Sequence, residues 1–156
     1  MIAMNEPFTN DDLLSVAQAI DGMDDNPLLA TAHLGNALAI IHKTLGEGSW
    51  VGLYMVAGDE LILGAFQGTP ACERIGFGKG VVGGSYSQDR TIAVPDVSAY
   101  PGYICCDASA KSEICVPVKK NGQTVAIFDV DLPDYHGFQD DQEGFEALAE
   151  ALANRL

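Results

Sequence analysis

The stretch 112-SEICVPVKKNGQTVAIFDVDL-132 decides the fold. Asn121-Gly122 supplies two adjacent residues that tolerate positive φ, which a tight hairpin turn requires. Apolar and polar residues alternate on both sides of it, so the pattern predicts strands over 112–119 and 123–132. Alternation sorts the side chains by face. Ile114, Val116 and Val118 share one face of the first strand, and Phe128, Val130 and Leu132 one face of the second. The opposite faces carry Glu113, Cys115 and Pro117 on one strand and Ile127, Asp129 and Asp131 on the other. One face is built to pack against helices. The other holds carboxyls where a plain sheet protein would need none.

The same period runs upstream. Trp50–Ala57 and Glu60–Phe66 read as strands around a turn at Ala57-Gly58-Asp59. Val51, Leu53 and Met55 share one face of the first, and Trp50, Gly52 and Tyr54 the other. Gly76-Phe77-Gly78-Lys79-Gly80 is a glycine-rich loop leading into a short helix over 81–88. A short strand follows over 91–95, then a long irregular segment over 96–110 with Pro101 and Gly102 in it. Before the sheet, Thr9-Asn10-Asp11-Asp12 offers helix caps, and Leu13, Leu14, Val16, Ala17 and Ile20 follow at helical spacing. A second helix is expected from Pro27 to Leu45, ended by Gly46. Leu28, Leu29, Ala32, Leu34, Leu38, Ile41 and Leu45 form its apolar side, with His33 and His42 at the surface. A closing helix is expected over 140–156. The order suits one α+β domain over 1–156, with helices over 9–45, sheet and site loops over 49–132, and the closing helix at the end.

Composition narrows the function. The chain has 156 residues, 8 basic against 22 acidic, for a net charge of −14. Nucleic acid and anionic membrane both call for a basic patch, so neither is expected as a partner. Residues 1–10 lack the basic and apolar regions of a signal peptide, no stretch approaches a membrane span, and the first few residues are the place for disorder. A cytoplasmic location is expected. In that reducing compartment four cysteines are more often buried, metal-binding or redox-active than structural disulfides.

The second sheet face then becomes a candidate pocket. Trp50, Tyr54, Glu113, Asp129 and Asp131 share it, and the 96–110 segment lies in sequence where it can cover them. Two rings and three carboxyls suit a small cation or zwitterion. A solvated acidic face is the plainer alternative. The cysteines also stay open. Zinc is disfavoured, because Cys105 and Cys106 lack a spacer and His33, His42 and His136 are distant in sequence. Cys115, between Ile114 and Val116, fits a buried thiol. Cys106 sits in a polar loop before Asp107, where a thiolate can serve as nucleophile, and Cys72 sits in another loop after a strand. They meet only if both loops lie over the same face.

Several motifs together resemble one family. They are Trp50-Val51-Gly52-Leu53-Tyr54, the run Leu63-Gly64-Ala65-Phe66-Gln67-Gly68-Thr69-Pro70-Ala71-Cys72, Gly78-Lys79-Gly80-Val81, Pro95-Asp96-Val97, Pro101-Gly102-Tyr103-Ile104 with Cys106-Asp107, Ser112-Glu113-Ile114 and Asp129-Val130-Asp131. This combination is similar to that of the free methionine-(R)-sulfoxide reductases, which are GAF-domain proteins. The resemblance implies a six-stranded antiparallel sheet with helices on one face and a loop-covered ligand pocket on the other. It implies Cys106 as nucleophile, Cys72 as resolving thiol and Glu113 as acid. It further implies substrate binding by Trp50, Tyr54, Asp129, Asp131 and Asp96, no bound cofactor or metal, thioredoxin or another dithiol as reductant, and a possible homodimer. A non-catalytic GAF sensor of small molecules is the alternative. The chain departs from the family pattern in four places. Val82 stands where a third cysteine is common and Tyr103 where a histidine is usual; Cys105 and Cys115 stand where alanine and an aliphatic residue are usual.

Overall fold

The computed structural model describes residues 7–138 and 141–156. The expectations of N-terminal disorder and of helix at Asp140 fall outside these residues. Among the described residues there are four α-helices: α1 (Asn10–Asp21), α2 (Ala30–Leu45), α3 (Gly80–Gln88) and α4 (Gln142–Ala153). Six strands accompany them: β1 (Trp50–Ala57), β2 (Glu60–Gln67), β3 (Arg74–Gly76), β4 (Ile92–Val94), β5 (Ser112–Lys120) and β6 (Gln123–Leu132). They form one sheet in the order β3-β2-β1-β6-β5-β4, with each neighbouring pair antiparallel. Among the described residues no helix is long and apolar enough to cross a membrane.

Local chemistry sets the boundaries. Helix α1 starts at a reciprocal cap, in which the Asp12 N–H donates to Thr9 Oγ1 (3.2 Å) and the Thr9 N–H to Asp12 Oδ2 (2.7 Å). Asn26 caps a 3-10 turn, Pro27–Leu29, which precedes α2. That turn rotates the start of the segment away from the sheet. Leu28 is 90% exposed, and Leu29 and Ala32 also face outward, so three residues expected on the apolar side do not contribute to it. Ala37, Leu38 and Ile41 carry the buried side instead. The surface position expected for His33 and His42 is also corrected, since both are half-buried. Burial lowers the pKa of His42, whose Nε2 has no hydrogen-bond partner among the described residues. Strand β3 has only Ile75 as an apolar residue in three positions and was not anticipated.

Three helices cover one sheet face. Leu13, Ala17 and Ile20 of α1, Leu38 and Ile41 of α2, and Phe145, Leu148 and Leu152 of α4 pack on Val51, Leu53, Ile114, Val116, Phe128 and Val130. The α1–α4 contact is close. A Cβ on Gly144 would sit 2.7 Å from Leu13 Cβ, and the Gly144 N–H donates to Asn10 Oδ1 at 2.8 Å. The short α3 lies on the opposite face, where Val81 and Val82 join Trp50, Tyr54, Leu61, Ile75, Cys115 and Ile127 in a second cluster.

Register decides what meets on that face. Asn121 and Gly122 both have positive φ, and next to them Lys120 pairs with Gln123 and Lys119 with Thr124. Extended unchanged, that pairing would set Cys115 against Phe128 and Glu113 against Val130, residues of the helix-packed face. A bulge between Val118 and Lys119 shifts the ladder by one residue. Cys115 now pairs with Asp129 and Glu113 with Asp131. Since a shift by one residue exchanges faces, the bulge brings the carboxyls to one side.

Candidate active site

Two rows of side chains cross the centre of this face. Trp50 on β1 pairs with Asp131 on β6, and Asp131 with Glu113 on β5. One step along, Gly52 pairs with Asp129, and Asp129 with Cys115. Gly52 is required here, because an added Cβ would lie 2.4 Å from the Trp50 ring and 2.7 Å from Phe66 Cβ. The bare backbone lets Trp50 lie flat and stack on Phe66 (centroids 5.5 Å apart) and Tyr54 (6.1 Å). The polar ends of both rings tie down the loop after β2. Trp50 Nε1 donates to the Thr69 carbonyl and the Tyr54 hydroxyl to the Cys72 carbonyl, each at 2.9 Å.

Cys72 and Cys106 form a disulfide, with Cα atoms 5.5 Å apart. It joins the loop after β2 to the irregular segment before β5. The two loops therefore lie over the same face, the condition on which their meeting depended. Below the bridge is a cavity of about 30 Å³, lined by Trp50, Tyr54, Glu113, Asp129, Asp131 and Cys106 among others. Tyr103, Ile104 and Asp107 close it from the covering segment, and Lys79, Gly80, Val81 and Val82 from the start of α3. A volume of that size holds about one or two waters.

The carboxyls are buried together. Glu113 is 5% and Asp129 4% exposed. Burial first, then the Asp131 charge, raises the pKa of Glu113 to about 8, against smaller opposing hydrogen bonds with Asp129 and Cys115. Burial and Glu113 push Asp129 well above the usual carboxylate range, and burial and Asp129 do the same to Asp131. Asp131 Oδ1 is buried without a hydrogen-bond partner among the described residues. Such a cluster binds protons more tightly than exposed carboxyls do, and Asp131 Oδ1 is its open acceptor among the described residues. Tyr54 and Tyr103 also have raised pKa values, chiefly through burial.

Other residues are placed differently. Asp96 does not line the cavity; its Oδ1 accepts from the Ser98 N–H (3.0 Å) and Oγ (2.7 Å) and caps the 3-10 turn Val97–Ala99. Cys105 is an exposed free thiol. Cys115 is a buried free thiol, and its Sγ donates to both Glu113 Oε1 and Asp129 Oδ1 at 3.4 Å. Those three residues each place one possible metal-binding atom within 4.8 Å of the others, but these atoms are already joined by hydrogen bonds. Sequence reading missed Lys79, Val81 and Val82 at the cavity. The glycine-rich loop before α3 was the available signal, but nothing in it said which face the helix would take.

Comparisons with known proteins agree with this geometry. Residues 32–156 match the GAF domain family. The free methionine-R-sulfoxide reductase of Saccharomyces cerevisiae is 43% identical over 141 residues, covering 85% of this chain and 78% of that protein. The structure of fRMsr of Staphylococcus aureus in its reduced form superposes with a TM-score of 0.84 at 38% identity, over 100% of this chain and 99% of that one. The free methionine-R-sulfoxide reductase of Neisseria meningitidis, in complex with its substrate, superposes with a TM-score of 0.81 at 32% identity, over 99% and 95% of the two chains.

Proposed function

Because the chain belongs to the free methionine-R-sulfoxide reductases of the GAF domain family, we propose that it reduces free L-methionine-(R)-sulfoxide through Cys106, Glu113 and Cys72. The observation that carries this reading is the Cys72–Cys106 disulfide closed directly over buried, proton-holding carboxyls.

The Cys106 thiolate attacks the sulfoxide sulfur while Glu113 gives its proton to the sulfoxide oxygen, so that a Sγ–S bond joins Cys106 to the substrate and the oxygen becomes a hydroxyl. That bond then breaks as the hydroxyl passes to Cys106 Sγ, which releases methionine and leaves Cys106 as a sulfenic acid. Thus sulfur in the substrate is reduced by two electrons and sulfur in Cys106 is oxidised by two. The Cys72 thiolate then attacks Cys106 Sγ, and the sulfenic oxygen leaves as water after taking a proton. This yields the observed disulfide. Two rounds of thiol exchange with thioredoxin or another dithiol restore both thiols. Glu113 suits its role because a carboxyl with a pKa near 8 still holds its proton at neutral pH.

The rest of the pocket suits a free amino acid once the bridge is reduced and the covering loops part, since the cavity of about 30 Å³ beneath the closed disulfide is too small to hold one. Asp131 Oδ1, buried and without a partner among the described residues, suits the substrate ammonium, with Asp129 beside it. Helix α3 begins without a side-chain cap at Lys79, and Gly80 and Val81 line the cavity. Its free N–H groups suit the substrate carboxylate. Trp50 and Tyr54 offer ring faces to the S-methyl end. A methionine residue within a polypeptide lacks both charged ends and leaves those groups unpaired. Purified protein with dithiothreitol should consume free L-methionine-(R)-sulfoxide, and Cys106→Ser should abolish turnover. Equal turnover by the serine variant would refute the mechanism.

A further inference from the structure

Cys115 is the one site thiol without a part in this chemistry, and it has two carboxyls beside it as well as the apolar neighbours of a core cysteine. It is wholly buried. It pairs across the ladder with Asp129 and follows Glu113 on the same face. Its Sγ lies 3.4 Å from Glu113 Oε1 and 3.4 Å from Asp129 Oδ1. Its carbonyl is also held, by the Ser85 hydroxyl of α3 at 3.4 Å. The sulfur stands between the proposed acid and the neighbouring carboxyl.

We infer that Cys115 is a positioning residue of the reductase site: its S–H bridges the Glu113 and Asp129 carboxyls and fixes the direction from which Glu113 delivers its proton. The inference rests on the reductase reading above. The thiol proton has two acceptors at equal distance, so the sulfur holds both side chains in register with one donor. The titratable groups around it are Glu113 on β5, Asp129 and Asp131 on β6 and Tyr54 on β1, and the three carboxyls favour the protonated thiol over the thiolate. Ile92 of β4, its partner on the other side, and Ser85 of α3 add no charge, while Lys79, which lines the nearby cavity, is a cation and opposes the carboxyls. Burial, followed by Asp129, Glu113 and Asp131, raises the Cys115 pKa far above its usual value, so it acts as donor and not as a second nucleophile.

The sign of the effect follows from the donor. An S–H directed at a carboxyl favours its ionised form, so removing it moves Glu113 further up. Cys115→Val loses the donor and adds about one methyl group of volume, whereas Cys115→Ser keeps a donor in a smaller side chain. In Cys115→Val we expect kcat to fall about threefold to tenfold with KM within about twofold, the alkaline limb of the kcat profile moving up by about half a pH unit or more. Cys115→Ser should recover most of kcat and return the limb to, or below, its wild-type position. Infrared titration of the protonated Glu113 carboxyl in the full chain should show the same order without turnover. An unchanged titration in Cys115→Val would overturn the inference, as would equal loss in the valine and serine variants. A wild-type protein unable to reduce the sulfoxide would overturn the reductase reading instead, and the infrared titration would still decide the bridge.

Discussion

Replacing Glu113 with glutamine should stabilise the protein at alkaline pH while disabling it. Glu113 is 5% exposed, and its pKa rises from an ordinary 4.5 to about 8. In the unfolded chain the carboxyl ionises near the ordinary value. Between those two pH values the unfolded state releases a proton that the folded state keeps. Stability is therefore complete below pH 4.5, declines through the interval, and levels off above pH 8. At about 1.36 kcal/mol per pH unit, the interval from 4.5 to about 8 costs about 5 kcal/mol by pH 9, and about 3 kcal/mol at pH 7. Glutamine stays neutral and escapes this loss, but forfeits hydrogen bonding with Asp129 worth about 1–2 kcal/mol. The net gain at pH 9 is about 3 kcal/mol, or about 6–12 °C in Tm for a chain of this size. At pH 5 the gain vanishes or reverses. Calorimetry of the disulfide form from pH 5 to pH 9 measures this, and turnover by the same variant should fall about 10²–10⁴-fold. A Tm difference that stays constant across the range would show that Glu113 is not a buried acid and would refute the reasoning.

Three further outcomes are expected. Reducing the Cys72–Cys106 bridge, which spans 34 residues, should cost about 4 kcal/mol of stability through unfolded-state entropy, seen as a lower denaturation midpoint in dithiothreitol that Cys72→Ser reproduces. Asp131→Ala should raise KM for the sulfoxide tenfold or more, because the acceptor proposed for the ammonium is removed; an unchanged KM would remove Asp131 from substrate binding. Gly52→Ala should destabilise by about 1–3 kcal/mol and change the Trp50 fluorescence, since its Cβ would meet the indole at 2.4 Å.

The sheet faces were legible because alternation needs no knowledge of partners. Val51, Ile114, Val116, Phe128 and Val130 all lie on the helix-packed side, and Trp50, Glu113, Asp129 and Asp131 on the other. What alternation leaves open is pairing. The turn at Asn121-Gly122 by itself sets Cys115 against Phe128, and only the bulge at Val118/Lys119 moves it to Asp129. A bulge beside ordinary Val and Lys residues has no composition signal, so the bridging position of Cys115 was hidden. Leu28 and Leu29 misled for a related reason, since a 3-10 turn has a different period from the helix that follows. Asp96 matched a motif but is committed to a local cap. Strand β3 was too short to leave a pattern.

The most direct test of the central claim begins with the fully reduced protein and one equivalent of free L-methionine-(R)-sulfoxide, without reductant. Peptide mapping by mass spectrometry should then show one equivalent of methionine released and a single new bridge between Cys72 and Cys106, with Cys105 and Cys115 still alkylatable after unfolding. Four unmodified thiols, or a bridge that joins Cys106 to Cys105 or Cys115, would contradict the account.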